Sequence, residues 1–352
     1  MSDFASVDLF TQQEANRRRS RWLVVGFVLF FAWLGLGGDW LAYQFTRNAP
    51  PDEYHHVFPL LGLGMLALAA GMAWFAWRVG PEKVLWSTGA TEITDPTTPE
   101  QRQLVNVVEE MAVASGLPRP RVWLIPDADP NALATGRDAQ SASIAVTEGL
   151  LRLCTRDELQ AVVAHELGHV KNLDVRLMTL LAGLVGAVAL ISDGAGRFLR
   201  SGVRVGGGGR SGGGGGSRGK KGDLGPLVFV VLALWLVSWL LAPLVTRLLA
   251  LGVSRKREYL ADAMSAQFTR NPLALARALE KIEREHAPTA AIKQSCAHLC
   301  IADPLGRAVS SREGWLADTL ATHPPMVMRV AKLKAMAYQA AKRSAEPQIA
   351  TV

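Results

Sequence analysis

The chain has 352 residues, enough for one large domain or two small ones, with 49% apolar residues, 20% charged residues and a net charge of +7. Its positive mean hydropathy leans toward a membrane protein. The basic residues cluster beside apolar runs, at Arg17, Arg18, Arg19 and Arg21 and again at Arg255, Lys256 and Arg257, as membrane topology requires and not as a nucleic-acid surface would place them. Three cysteines, Cys154, Cys296 and Cys300, are too sparse and odd a set for a disulfide framework and suit a reducing compartment as buried or idle thiols.

Two apolar segments come first, Trp22 to about Tyr43, broken late by Asp39, and Val57 to Trp77. Each is near the ~20 residues that span hydrocarbon. The first lacks a small-residue cleavage site and reads as an anchor that stays in the protein. Between them Arg47 faces Asp52 and Glu53, so the positive-inside tendency predicts a cytoplasmic tail over 1–20 and two transmembrane helices with a short external loop over 21–79. A soluble stretch follows over 80–176. Thr98-Pro99-Glu100-Gln101 predicts a helix start, with Pro at the first helical position and Gln101 as capping-box partner, and that helix ends near Gly116. Short strands are expected over Val122–Ile125, Asn131–Thr135 and Ser143–Val146.

Next comes His165-Glu166-Leu167-Gly168-His169, inside a predicted helix from Glu158 to Lys171 with a Thr155/Glu158 capping box. Four residues of helix turn through about 400°, so the two imidazoles lie on one face, a turn apart, and can share one Zn²⁺. Glu166 sits beside them, placed to act on water and not to bind the metal. Leu159, Val162, Val163, Leu167 and Val170 form an apolar stripe expected to bury one side of an amphipathic helix with charged ends. The bland alternative is a polar helix face.

Apolar segments at 177–192, short for a full span, and 224–246 predict a transmembrane hairpin over 177–250, with a re-entrant hairpin as the alternative, interrupted by a Gly-rich linker over 201–222. The linker imitates a phosphate loop through Gly214, Gly219 and Lys220, but Lys221 stands where Ser or Thr is required. The rest, 251–343, is helical by pattern, with amphipathic runs at Leu273–Ile282 and Met326–Ala341, then a tail over 344–352.

A catalytic zinc takes three protein ligands and an open position. Val175 stands where a third His would complete one known pattern, which excludes it. From Leu167 to Arg257 there is no Glu; Glu258 is the first, and Asp262 lies four residues on, on the same helix face, able to orient a ligand imidazole. Asp174, Asp193 and Asp223 are acidic competitors, Asp174 lying too close to His169 along the helix to wrap around the metal easily.

Asn131-Ala132-Leu133-Ala134-Thr135-Gly136, the HExxH with Asn172 and Asp174, Glu258-Tyr259-Leu260-Ala261-Asp262, and His323-Pro324-Pro325 with Arg329 occur in this order between apolar segments. In this the chain resembles the HtpX-type membrane zinc endopeptidases, which are related to the CAAX prenyl endopeptidases; the Gly-rich linker and long N-terminal tail are departures. The resemblance covers residues 20 to 340 and implies an α-helical integral membrane protein with an α+β zincin, gluzincin-like, protease domain. It implies that His165, His169 and Glu258 bind Zn²⁺, that Glu166 is the general base and then the proton donor, and that Asn131 and Ala132 lie on an edge strand that pairs with the substrate backbone. His323 would stabilise the oxyanion, Arg329 would support that site, and Asp262 would stand behind a ligand. Read without the resemblance, Asn131 serves equally well as a turn residue and His323 as a helix-start residue.

The function so implied is hydrolysis of polypeptides, in quality control of misfolded membrane proteins, by a multi-pass protein of the bacterial inner membrane with its active site facing the cytoplasm. Its partners would be polypeptide substrates and the lipid bilayer. Two other readings are a site-2-type intramembrane metalloprotease, against which the charged helix ends count, and a catalytically silent scaffold stabilised by zinc, against which Glu166 counts.

Overall fold

A computed structural model describes residues 9–46, 58–185, 229, 232–237, 255–285, 291–292, 299–302 and 324–345. The chain divides into two compact units, one formed by Met1–Ser20, Trp77–Gly183 and Leu249–Val352, the other by Arg21–Ala76 and Leu184–Leu248. The linker at 201–222 and most of the segment at 224–246 lie outside the described residues.

The second unit holds the part of α1 (Leu9–Thr46) from Arg21 on and the part of α2 (Leu60–Ser87) up to Ala76, and both helices are long and apolar enough to cross a bilayer. Trp22, Leu29, Leu60 and Trp74 stand exposed on them, an apolar surface that water disfavours and lipid accepts. Both helices outrun their apolar runs. α1 begins well before Trp22, and α2 passes Gly80 and Pro81, where the soluble stretch was expected to begin, and ends only at Ser87. Asp39, which breaks the first apolar run, is buried. Its carboxylate accepts the Gly62 N–H at 2.5 Å and the Leu61 N–H at 3.3 Å, two donors of the first turn of α2 that have no partner within that helix. At this level Gly35 meets Gly62; a Cβ on Gly35 would lie 2.8 Å from the Gly62 Cα.

The first unit holds a four-stranded mixed sheet of β1 (Thr91–Glu92), β2 (Arg121–Ile125), β3 (Ala132–Thr135) and β4 (Ser143–Thr147), in spatial order β1-β2-β4-β3. β2 runs parallel to β4 with Trp123 opposite Ala145, and β3 runs antiparallel to β4 with Leu133 opposite Ala145. α3 (Pro99–Ser115) starts at Thr98, whose side chain accepts the Gln101 N–H, and stops at Gly116 with φ 69°. The return bond of Gln101 goes one residue earlier than expected, to the Thr97 N–H at 3.0 Å. α4 (Glu148–Leu153) leads into α5 (Arg156–Lys171), whose Thr155/Glu158 capping box is complete.

α5 packs against α3, β3, α6 (Arg255–Thr269) and α7 (Pro272–Arg284), while α8 (Met326–Ala345) lies on α7. The expectation of a one-sided helix is therefore corrected. From Glu158 to Val170 every residue but Gln160 is buried, because neighbours enclose the helix and its polar residues find partners inside the fold. Val107, Ile144, Leu150, Leu159, Val162, Leu167, Leu275 and Leu279 belong to the core around it. The seam between α5 and α6 is made of small residues. A Cβ on Gly168 would lie 3.2 Å from the Ala261 Cα, and Ser265 Oγ donates to the Ala161 carbonyl at 2.7 Å.

Candidate metal centre

The close seam decides where α6 puts its acids. With Gly168 against Ala261, Glu258 reaches the His165/His169 face. The two imidazole Nε2 atoms are 3.2 Å apart, and Glu258 Oε2 and Oε1 stand 3.8 Å from His165 Nε2 and 3.5 Å from His169 Nε2. All three residues are buried. Donors held about 2.1 Å from a tetrahedral ion lie about 3.4 Å from one another, so this donor set fits one divalent metal.

The other ring nitrogens face carboxylates. His165 Nδ1 lies 3.0 Å from Asp262 Oδ1, and His169 Nδ1 lies 3.1 Å from Asp174 Oδ2. With Asp174 accepting from His169 Nδ1 and Asp262 close beside His165 Nδ1, the Nε2 lone pairs are left to converge. Asp262 is held by a two-pronged contact from the fully buried Arg329, Nε to Oδ2 at 2.9 Å and Nη2 to Oδ1 at 2.7 Å. Arg329 Nη1 also stands 3.3 Å from Glu258 Oε2. Arg329 thus braces Asp262 behind the His165 ring and stands beside Glu258. His323, which the resemblance pairs with it, lies outside the described residues.

Burial, aided by the charge of Glu258 and opposed by His169 and Arg329, pushes the Glu166 carboxyl up to about 7. The Ala134 backbone N–H bonds this carboxyl, while its Oε2 is buried with no hydrogen-bond partner. Burial lowers His165. In His169 burial also opposes the charged form, but the Asp174 hydrogen bond and the Glu258 charge outweigh it and raise the ring to about 9. A proton on His169 Nε2 satisfies both ring nitrogens; a divalent cation satisfies them and Glu258 together, so metal binding competes with protons here. Burial works against the Asp262 carboxylate, yet the Arg329 charge beside it holds that group below its ordinary range.

Asn131 is buried just ahead of β3. Its N–H donates to Thr147 Oγ1 at 2.8 Å, its side-chain amide to the Ala302 carbonyl at 3.2 Å, and its Oδ1 accepts the Ala132 N–H at 3.0 Å. β3 is the end strand in the sheet order, but its outer rim is not bare. Leu133 forms an antiparallel bridge with Cys300, Ile301 N–H donates to the Ala132 carbonyl at 3.0 Å, and the Ile301 carbonyl accepts from Arg329 Nη1 at 3.1 Å. The segment 299–302 of the same chain lies along the rim expected to receive substrate. Cys300 is buried within it and Cys154 within the core, where burial pushes its thiol up to about 12.

As its spacing suggested, Asp174 is not among the groups that converge on the metal position. α5 ends at Lys171, Leu173 adopts φ 59°, and Asp174 stands against the outer nitrogen of the His169 ring. A non-glycine residue in that region is uncommon, and no side-chain pattern announces it. Arg257, read from sequence as one of the basic residues that flank an apolar run, is buried 3.8 Å from Asp174 Oδ1.

Residues 98–337 match peptidase family M48. The chain belongs to this family. The M48 chain is 34% identical to the protease HtpX homolog of Streptococcus gordonii over 93% of its own length and 100% of that relative. It is 40% identical to the protease HtpX homolog of Tropheryma whipplei strain Twist, over 79% of this chain and 86% of that one. The crystal structure of S. mikatae Ste24p shares 18% identity with a TM-score of 0.44, covering 93% of this chain and 67% of that one. This M48 chain is accordingly a membrane metalloprotease with two candidate spans, acting on polypeptides, and His165, His169 and Glu258 form its possible metal site.

Proposed function

We propose that the chain is a zinc endopeptidase with a zincin-type, gluzincin-like domain on the cytoplasmic side of a bacterial inner membrane, clearing misfolded membrane proteins. The observation that carries the chemistry is the convergence of His165 Nε2, His169 Nε2 and Glu258 at 3.2–3.8 Å beside a buried Glu166. Two imidazoles and a carboxylate are the donor set of catalytic zinc, and zinc bound there would supply a Lewis acid and lower the pKa of water toward 7.

The chain's own residues do the rest. Asp262 and Asp174 keep the ring protons on Nδ1. Glu166, raised to about 7, takes a proton from the attacking water as its oxygen bonds to the substrate carbonyl carbon, and delivers it to the amine nitrogen as the C–N bond breaks. His323 is the proposed oxyanion donor. The substrate docks as an extended strand on β3, taking the rim that 299–302 holds, so that its own N–H replaces that of Ile301 on the Ala132 carbonyl.

Glu166→Gln keeps the shape but cannot act as the base. It is expected to retain about one zinc per chain and to lose at least ~10²-fold in peptide cleavage, whereas His165→Ala loses both metal and activity. Cleavage at the wild-type rate by Glu166→Gln would refute the assignment, and a metal-loaded wild type without protease activity would leave a structural zinc scaffold.

A further inference from the structure

The first twenty residues read as a tail, yet one face of α1 there is buried. Asn16 is fully buried and Ser20 nearly so, while Arg17, Arg18 and Arg19 are exposed. Gln13, one turn earlier on the same face, donates from Nε2 to the Lys171 carbonyl at 2.7 Å, and Asn16 Nδ2 donates to the Asn172 carbonyl at 2.9 Å. These carbonyls belong to the end of α5, where helix carbonyls lack intrahelical donors. Capping alone would account for Gln13. Asn16 does more: its Nδ2 also donates to Asp174 Oδ1 at 2.8 Å, and the other oxygen of that carboxylate, Oδ2, faces His169 Nδ1 at 3.1 Å.

We propose that Asn16 is a positioning residue of the metal centre, acting through Asp174 on His169; this rests on His169 being a metal ligand. A carboxylate behind a ligand imidazole fixes the ring's tautomer and aim only if the carboxylate is itself held. Asp174 follows a residue with φ 59° and has one oxygen committed to the ring. Asn16 holds the other, with the buried Arg257 3.8 Å away as its neighbour. The first candidate span, Gln13–Thr46, includes Asn16, so one helix serves both as a candidate anchor and as an outer support of the metal ligand.

The test uses the full chain in detergent, with zinc affinity measured by competition with a chromophoric chelator and the ligand field read from the Co²⁺-loaded protein. Asn16→Leu, near in volume but without the amide, is expected to weaken zinc about tenfold while still binding one ion at saturation, and to shift the Co²⁺ absorption. Asn16→Ala serves where the leucine variant does not fold. Gln13→Leu, which removes a cap that touches neither Asp174 nor His169, is expected to lower thermal stability and leave metal affinity as in wild type. In an Asp174→Asn background, Asn16→Ala should cause no further loss, because the relay is already broken. Wild-type zinc affinity and Co²⁺ spectrum in the Asn16 variants would overturn the proposal, as would equal weakening by Gln13→Leu. If His169→Ala binds zinc as wild type does, the ligand assignment itself falls.

Discussion

Gly168→Ala tests the seam on which the metal centre depends. In a helix interior the change favours the folded state by about 1 kcal/mol. Against this, the new methyl would stand 3.2 Å from the Ala261 Cα and 3.4 Å from its Cβ and carbonyl oxygen. Carbon atoms prefer about 3.5–4.0 Å, so α6 must retreat by roughly 0.3–0.8 Å. Such overpacking costs about 1–3 kcal/mol, which leaves a net loss of about 0–2 kcal/mol in the metal-free protein. The metal feels the shift more sharply. Glu258 and Asp262 flank Ala261 on the same helix, and metal–ligand distances tolerate only about ±0.2 Å. Zinc affinity should therefore fall by about tenfold or more, equivalent to about 1.4 kcal/mol, even where stability barely changes. Denaturant unfolding of the metal-free protein and chelator competition on the same sample separate the two effects. Gly168→Ala protein with wild-type zinc affinity would show that the close approach does not set the position of Glu258.

Ile301→Pro removes the N–H that bonds the Ala132 carbonyl, a hydrogen bond of about 1 kcal/mol, so kcat/KM for an extended peptide should rise about fivefold; an unchanged or lower value would make 299–302 a permanent part of the sheet. Glu158 is held by the Thr155 N–H at 2.8 Å and Lys281 Nζ at 2.6 Å; burial disfavours its charge, but these partners prevail and keep the carboxyl below its ordinary 4.5. Its contribution is therefore complete above about pH 4.5 and is lost as the pH falls through the lowered value. Wild type should lose stability on acidification more steeply than Glu158→Gln, and equal slopes in acid unfolding curves would refute this linkage.

Features that depend on neighbours in sequence were legible. The α5 capping box, the His165/His169 spacing, the Gly116 stop and the three longer strands follow from residues within a turn or two of one another. Glu258 was singled out because the preceding stretch holds no other Glu, and the fold carries it to the histidines. What sequence patterns hid is long-range. A two-residue β1 has no period to detect. Leu173 adopts a left-handed φ just ahead of Asp174 without any glycine to signal it. Asn16 lies in a run of exposed arginines and gains its meaning from a carboxylate 158 positions away. The segment at 299–302 is too short to alternate, and it is defined by the rim it covers.

That covered rim has a consequence for selectivity by concentration. An open end strand reading Ala-Leu-Ala-Thr would template pairing with any passing extended chain, including another copy of itself. On the proposed docking, a competitor supplied by the same chain would leave the rim to chains that displace it. A competitor in the same molecule has an effective concentration that a dilute free peptide of equal intrinsic affinity does not match. A folded protein, whose strands are already paired, offers nothing to exchange. On the proposed docking, an unfolded chain at high local concentration would offer many registers, and for it the exchange would become favourable.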